Sequence, residues 1–393
     1  MSVVLAEQTL PTQESPLTER FKFYSPHRNL LADGIAEHIT TPASDKSDPR
    51  ALHNTIQDAF RRAIANGINR PVLVGAIPFD LTQPSSLYIP QQARFINQSQ
   101  KYRKSKQREP FTVVARRNFP EEGRYKQSVQ QAIANFQLSD IRKAVLSRVL
   151  ELQLSDELPA GLIFNSLRSQ NPNGYHFSVP IDNRGQLVGV SPELLVRKEN
   201  MKITSNPLAG SSKRRADQRE DQAAAEALQN SKKDLYEHRL VIEEIDRVLR
   251  PLCIQLDTPE SPSLLHTQTM WHLSTLIQGS LANSDTTALD LACQLHPTPA
   301  VCGYPTILAH KLINLVESFD RGLFAGMVGW QDSEGNGEWV VTIRCGIVRG
   351  NQINLFAGAG IVEDSCPESE WAETQAKMQT MLKALPFDVE TIL

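Results

Sequence analysis

The sequence predicts an α+β protein. Three observations carry that reading: two stretches of short apolar runs separated by brief polar turns, long amphipathic helical patterns between and after them, and no regular strand–helix alternation that would imply a parallel sheet. The first stretch, 175–209, breaks at Asp182 to Gly185 and at Glu199-Asn200. The second, 327–362, breaks at Asp332 to Gly337 and at Gly350 to Gln352. Polar turns of this length join antiparallel neighbours.

Taken in order, residues 1–20 are polar and proline-bearing and read as an N-terminal tail. Phe21 to Tyr24 and Pro71 to Ile77 have strand texture and place 21–123 in the N-terminal part of a sheet framework. Within it, 83–117 is rich in Gln, Ser, Pro and Lys/Arg and reads as a polar surface connection. From 124 onward the chain reads as one region to its end. It opens with a helix over 125–137 and a strand over 143–154, has a long helix over 216–250 ended by Pro251, and closes on a last helix. That helix is expected to start from Ser365 as N-cap, with Pro367 in its first turn and Glu368 closing a capping box.

Composition narrows the classes. With 40% hydrophobic and 22% charged residues in 393, the chain can build a sizeable core. A net charge of -3 leaves no basic surplus for a phosphate backbone, so nucleic acid is not an expected partner, and the basic run 101–108 reads as a solvated loop. No segment reaches the roughly 18 uninterrupted apolar residues of a membrane helix, and the start has no secretory pattern. The five cysteines at 253, 293, 302, 345 and 366 are widely spaced with no Cys-x-x-Cys, which predicts reduced thiols in a cytoplasmic protein and neither zinc nor disulfides.

On a helical wheel of 216–250, Leu235, Val241, Ile245, Val248 and Leu249 share a face, with Asp234 and Glu237 on or beside it. In the last helix Glu370, Glu373 and Lys377 flank the stripe of Trp371, Met378, Met381 and Leu382. Two helices each offering an acidic i, i+3 pair make an oxygen-only donor set that suits Mg²⁺. From the pattern alone, solvated flanks of amphipathic helices are the simpler reading. Lys143, Glu193 and Arg344 sit in or at the end of apolar strand runs, and each alone reads as a strand-end charge reaching solvent. PLAGS at 207–211 and FAGAGIV at 356–362 put glycine where backbone N–H groups can approach an anion closely.

From about Arg124 to Leu382 the chain resembles the chorismate-utilising enzymes, the family of anthranilate, aminodeoxychorismate, isochorismate and salicylate synthases. The motifs, in order, are KAVLSR, SPELL, PLAGS, KDLYEH, WHLST, HPTPAVCG, TIRCG, GAGIV and SEWAETQAK. Upstream, VGAIPFD at 74–80 and PSSLYIP at 84–90 are similar to the isochorismate synthases of catechol-siderophore, enterobactin-type pathways. The resemblance implies a single domain of two large packed antiparallel sheets with helices outside, 124–393 being the chorismate-binding region. It implies Mg²⁺ held directly by Glu237 and Glu373 and through water by Asp234 and Glu370. The ring carboxylate would meet the metal, the backbone of Gly210 and Ser211, and Lys377. Arg344 and the Gly360 backbone would hold the enolpyruvyl carboxylate, and His272 matches a family active-site histidine. Asp234 departs from the Glu that many relatives carry.

Isochorismate formation adds water at ring carbon 2 and expels the hydroxyl at carbon 4. Lys143 matches the family's base and Glu193 its acid, so the lysine is expected to be shifted down from about 10.4 and the glutamate to hold a proton. Ala209 stands where aminodeoxychorismate synthases carry a nucleophilic lysine, and anthranilate synthases lack a lysine matching Lys143. Salicylate synthase, which adds pyruvate elimination, is the rival reading, and a silent chorismate binder a further one. A monomer is expected, with an isochorismatase as the downstream pathway partner.

Overall fold

The computed structural model describes residues 20–96, 111–182 and 184–387. Two large antiparallel sheets dominate. The ten-stranded sheet runs in the order Gly303–Tyr304, Lys143–Leu154, Gln352–Ile361, Cys345–Arg349, Gly185–Ser191, Tyr175–Ile181, Phe21–Tyr24, Asn29–Asp33, Gln92–Ile96, with Val113–Phe119 also on Lys143–Leu154. The nine-stranded sheet runs Cys253–Asp257, Ile277–Leu281, Lys202–Asn206, Leu194–Glu199, Gly337–Val341, Met327–Asp332, Val72–Ile77, Ser86–Ile89, Glu37–Ile39. A small third sheet joins Leu208–Lys213, Met270–Ser274 and Ser263–His266.

The main core lies between the large sheets, where Phe21, Phe23 and Leu30 of one meet Val74, Val196 and Trp339 of the other. A second core backs the ten-stranded sheet, with Leu150, Val188 and Leu355 under Phe164 and Met378 of the helices Ala160–Gln170 and Pro367–Leu382. Lys143–Leu154 therefore has protein on both faces. That is why it reads as an almost unbroken apolar run and is buried along nearly its whole length.

Several expectations are corrected. The 216–250 pattern is two helices, Gln218–Gln229 and Lys232–Leu249, because Ser231 breaks the first and caps the second by accepting from the Asp234 N–H. Cys366, not Ser365, is the N-cap of Pro367–Leu382, and no side chain caps it. The Ser365 hydroxyl accepts from the Val362 N–H instead, so no capping box forms. The polar connection holds three strands, Ser86–Ile89, Gln92–Ile96 and Val113–Phe119. Its basic run and the tail before Arg20 lie outside the described residues.

The runs 188–197 and 339–345 are not single strands either. Between Ser191 and Leu194 the chain crosses from the ten-stranded to the nine-stranded sheet, and between Val341 and Cys345 it crosses back. Pro192 has no N–H for a ladder, and Arg344 takes a left-handed φ of 50°, so each run must break there. Those two crossings deliver Glu193 and Arg344 to the space between the sheets. All five cysteines are free. No helix among the described residues is long and apolar enough to cross a membrane.

Candidate active site

Nine of the twelve site residues expected from the sequence line one cavity: Glu193, Gly210, Ser211, Glu237, His272, Arg344, Gly360, Glu373 and Lys377. The cavity and its open mouth together span about 700 Å³ of space free of protein atoms. Lys143, Asp234 and Glu370 stand directly behind that lining.

Lys143 begins its strand and is fully buried, with Nζ 2.7 Å from Oε1 of Glu237. Two glycines let the carboxylate-bearing helix come this close. A Cβ on Gly360 would sit 2.7 Å from Glu237 Oε1 and 3.0 Å from Lys143 Cε, and one on Gly210, at φ +78°, would sit 2.9 Å from the Asp234 Cβ. Burial opposes ionisation of Glu237, but Lys143, with Lys377 and Lys233 behind it, outweighs burial and holds the carboxyl below its ordinary range.

The last helix faces this one. Glu373 pairs with Lys377 at 2.6 Å and lies 3.4 Å from the Ser211 hydroxyl. Glu370, 1% exposed, meets Lys233 at 3.1 Å through one oxygen, while its other oxygen is buried with no partner. Burial raises the carboxyls of Asp234 and Glu370, and neighbouring carboxylates push both further up. Among the described residues no three of these side chains converge closely enough to ligate one ion, each of the three glutamates being held by a lysine instead. An oxygen-only set on two facing helices, with the Glu370 oxygen left over, fits a hard divalent cation. Such a cation would relieve the repulsion that raises Asp234 and Glu370.

Across the cavity the groups are unneutralised. Burial lifts Glu193 from 4.5 to about 7, even though the Leu208 N–H and the charges of Lys143, Arg344 and Lys377 pull it down. Its Oε1 is buried without a partner. The Arg344 guanidinium makes no hydrogen bond or ion pair with the described residues, and burial lowers it to about 10 against the attraction of Glu373 and Glu193. His272, on Met270–Ser274, is held well below its ordinary value by burial, with Arg344 and Lys377 adding, so it is neutral at pH 7 with Nε2 unsatisfied. An acid, an uncompensated guanidinium and a neutral imidazole facing one cavity form a receptor for a polar anion.

The description "Chorismate binding enzyme" fits residues 83–386. The chain belongs to the chorismate-binding enzyme family. Among relatives in that family, isochorismate synthase EntC of Escherichia coli (strain K12) is 44% identical, over 97% of this chain and 98% of its own. The vibriobactin-specific isochorismate synthase of Vibrio cholerae is 40% identical over 99% of this chain and 96% of its own. In three dimensions the crystal structure of DhbC from Bacillus anthracis is similar at a TM-score of 0.89 and 41% identity, covering 95% of this chain and 98% of that one.

Sequence reasoning missed part of what builds this cavity. Lys233, one residue before Asp234, reaches across to Glu370, and its place in KDLYEH was the available signal. Phe324 and Phe356 stack at 5.1 Å and form an apolar wall with Val301 and Ile343. Phe324 lies in a segment, 319–326, whose texture gave no motif.

Proposed function

We propose that this enzyme is an isochorismate synthase, an isomerase that interconverts chorismate and isochorismate for catechol-siderophore biosynthesis. The observation that carries the reading is the pairing of near full-length identity to isochorismate synthases with a buried, proton-holding Glu193 opposite a buried Lys143.

In this reading Arg344 and the Gly360 backbone hold the enolpyruvyl carboxylate, the guanidinium being free to give both N–H groups of its planar fork. Gly210, Ser211 and Lys377 hold the ring carboxylate. Glu237 and Glu373 would ligate Mg²⁺, with Asp234 and Glu370 behind them; the ion, when bound, supplies charge stabilisation for that carboxylate. Lys143 in its neutral form takes a proton from the water that adds at carbon 2, so the ammonium paired with Glu237 releases its own proton before the step. Glu193, protonated near neutral pH, gives its proton to the hydroxyl leaving carbon 4. Neutral His272 donates or accepts a hydrogen bond within the cavity without adding charge.

The test is product analysis in ¹⁸O-water, with chorismate and Mg²⁺ and no ammonia. Isochorismate labelled at carbon 2, retaining its enolpyruvyl group and approaching an equilibrium with chorismate, is expected. Salicylate and pyruvate as main products, formed faster than isochorismate decays alone, would replace the isomerase with a salicylate synthase.

A further inference from the structure

The Lys143 strand is paired with Gln352–Ile361 along one edge, from Ala144 to Gln153. Its other edge is interrupted. Tyr304 and Gly303 cover Lys143 and Ala144, the Val145 N–H reaches the Cys302 carbonyl at 2.8 Å, and Val113–Phe119 takes over only from Val149. Among the described residues no strand pairs with 145–148 on that edge. Val145 and Ser147, which line the cavity, fall in this gap. A backbone group buried there without a partner would be costly.

Two side chains fill the gap. The Ser147 N–H donates to Glu317 Oε1 at 2.6 Å, and Arg321 Nη2 donates to the Val145 carbonyl at 2.7 Å. Arg321 Nη1 donates to the Val301 carbonyl at 2.8 Å, on another part of the cavity wall. Glu317 and Arg321 hold each other through contacts of 2.8 and 2.6 Å, their side chains are 4% and 2% exposed, and the guanidinium lies 4.3 Å from the centre of the Phe79 ring. Arg321 also sits in the turn leading to Phe324 and Ala325, which line the cavity as well.

We propose that Glu317 and Arg321 are positioning residues: a side-chain splint in place of a missing strand, fixing Val145, Ser147 and Val301 in the cavity wall beside Lys143. The proposal rests on the chorismate–isochorismate reading of the cavity. A buried ion pair that only stabilises the fold can be exchanged for neutral groups of similar size with little loss of stability. A splint cannot be exchanged so freely, because the Val145 and Val301 carbonyls lose their donor and the wall shifts. Misplacement of a reacting group by about 1 Å costs on the order of 10²-fold in rate.

The decisive variant is Glu317→Gln with Arg321→Met, which keeps an acceptor for the Ser147 N–H and fills the space without charge. The variant should stay folded at the assay temperature, with a melting temperature lowered only by the cost of two carbonyls without a donor, while kcat falls by roughly tenfold to a hundredfold. Arg321→Lys alone, which retains the pair and one carbonyl donor, should recover most of that loss. A folded double variant with wild-type kcat overturns the proposal. Should the double variant not fold, amide hydrogen exchange in the wild-type protein decides: the Ser147 N–H should be protected as strongly as the laddered Leu146 and Arg148, and fast exchange there overturns the splint. Exchange is read without substrate, so a wild-type protein that fails to interconvert chorismate and isochorismate refutes the activity and not the splint.

Discussion

The helix side and the sheet side of the cavity are built on opposite electrostatic plans. On the helix side each glutamate has a lysine within hydrogen-bonding reach: Glu237 with Lys143, Glu373 with Lys377, Glu370 with Lys233. On the sheet side the Arg344 guanidinium makes no hydrogen bond or ion pair with the described residues, and Glu193 Oε1 and His272 Nε2 are buried without partners. Pairing offsets part of the desolvation cost of the lysines and glutamates, whereas buried groups without a protein partner, Glu370 Oε2 on the helix side among them, retain hydrogen-bonding capacity for a ligand or water. In the proposed reading the difference leaves charge storage to the helices and substrate recognition to Arg344 and Glu193 at the two sheet crossings, with His272 beside them.

The largest effects should come from breaking the helix side. Glu373→Gln removes a proposed ligand and frees Lys377, and turnover should be abolished with the fold intact; titration calorimetry should then show no Mg²⁺ binding. EDTA should abolish wild-type turnover reversibly, and full activity in EDTA would refute the metal assignment. Next come the proton carriers, one on each side. Lys143→Ala and Glu193→Gln should each lower kcat by about 10² to 10⁴. Calorimetry should show that Glu193→Gln leaves Mg²⁺ affinity unchanged, since Glu193 lies across the cavity from the carboxylates. A drop of less than tenfold in both variants rules out the acid and base roles.

A smaller effect sharpens the sheet side. Arg344→Lys keeps the charge but loses the planar fork, so kcat/KM should fall by one to two orders of magnitude, about 1.4 kcal/mol per factor of ten. Steady-state kinetics that match wild type would place Arg344 outside the carboxylate subsite.

What the sequence made legible follows from the range of the forces involved. The strand at 143–154 and the turns of both meanders could be read because alternation and polar turns are local signals. The split at Ser231 is local too, but a serine within a helical pattern is tolerated as often as it caps, so the two helices merged into one. The crossings at Glu193 and Arg344 were not legible. A strand leaving one sheet for another keeps its apolar texture, and only the partners reveal the change. The residues that line the cavity were singled out through their ordered motifs, since a buried Lys143 and a solvated strand-end lysine look identical in one sequence. Arg321 and Glu317 escaped because a splint is defined by the strand that is absent beside it.

The last predicted effect concerns stability rather than rate, a shift of a few degrees, and it isolates one unpaired group on the sheet side. Burial raises Glu193 from 4.5 to about 7, so the folded protein keeps a proton that the unfolded chain releases between those values. That contribution to stability is fully present below pH 4.5 and is lost as pH rises through about 7. Glutamine at 193 resembles the neutral acid at every pH and carries no such dependence. Wild type and Glu193→Gln should therefore unfold at similar temperatures near pH 4, and the variant should be the more stable near pH 8, by about 3 kcal/mol or roughly 4 °C. Glu338 is also raised to about 7 by burial but belongs to a separate cluster with Ser25 and Arg197, so it cancels when the two proteins are compared. Thermal unfolding across pH 4 to 8 is the measurement. A constant difference between the proteins would mean that Glu193 does not hold its proton through burial, and the acid would then need another source for it.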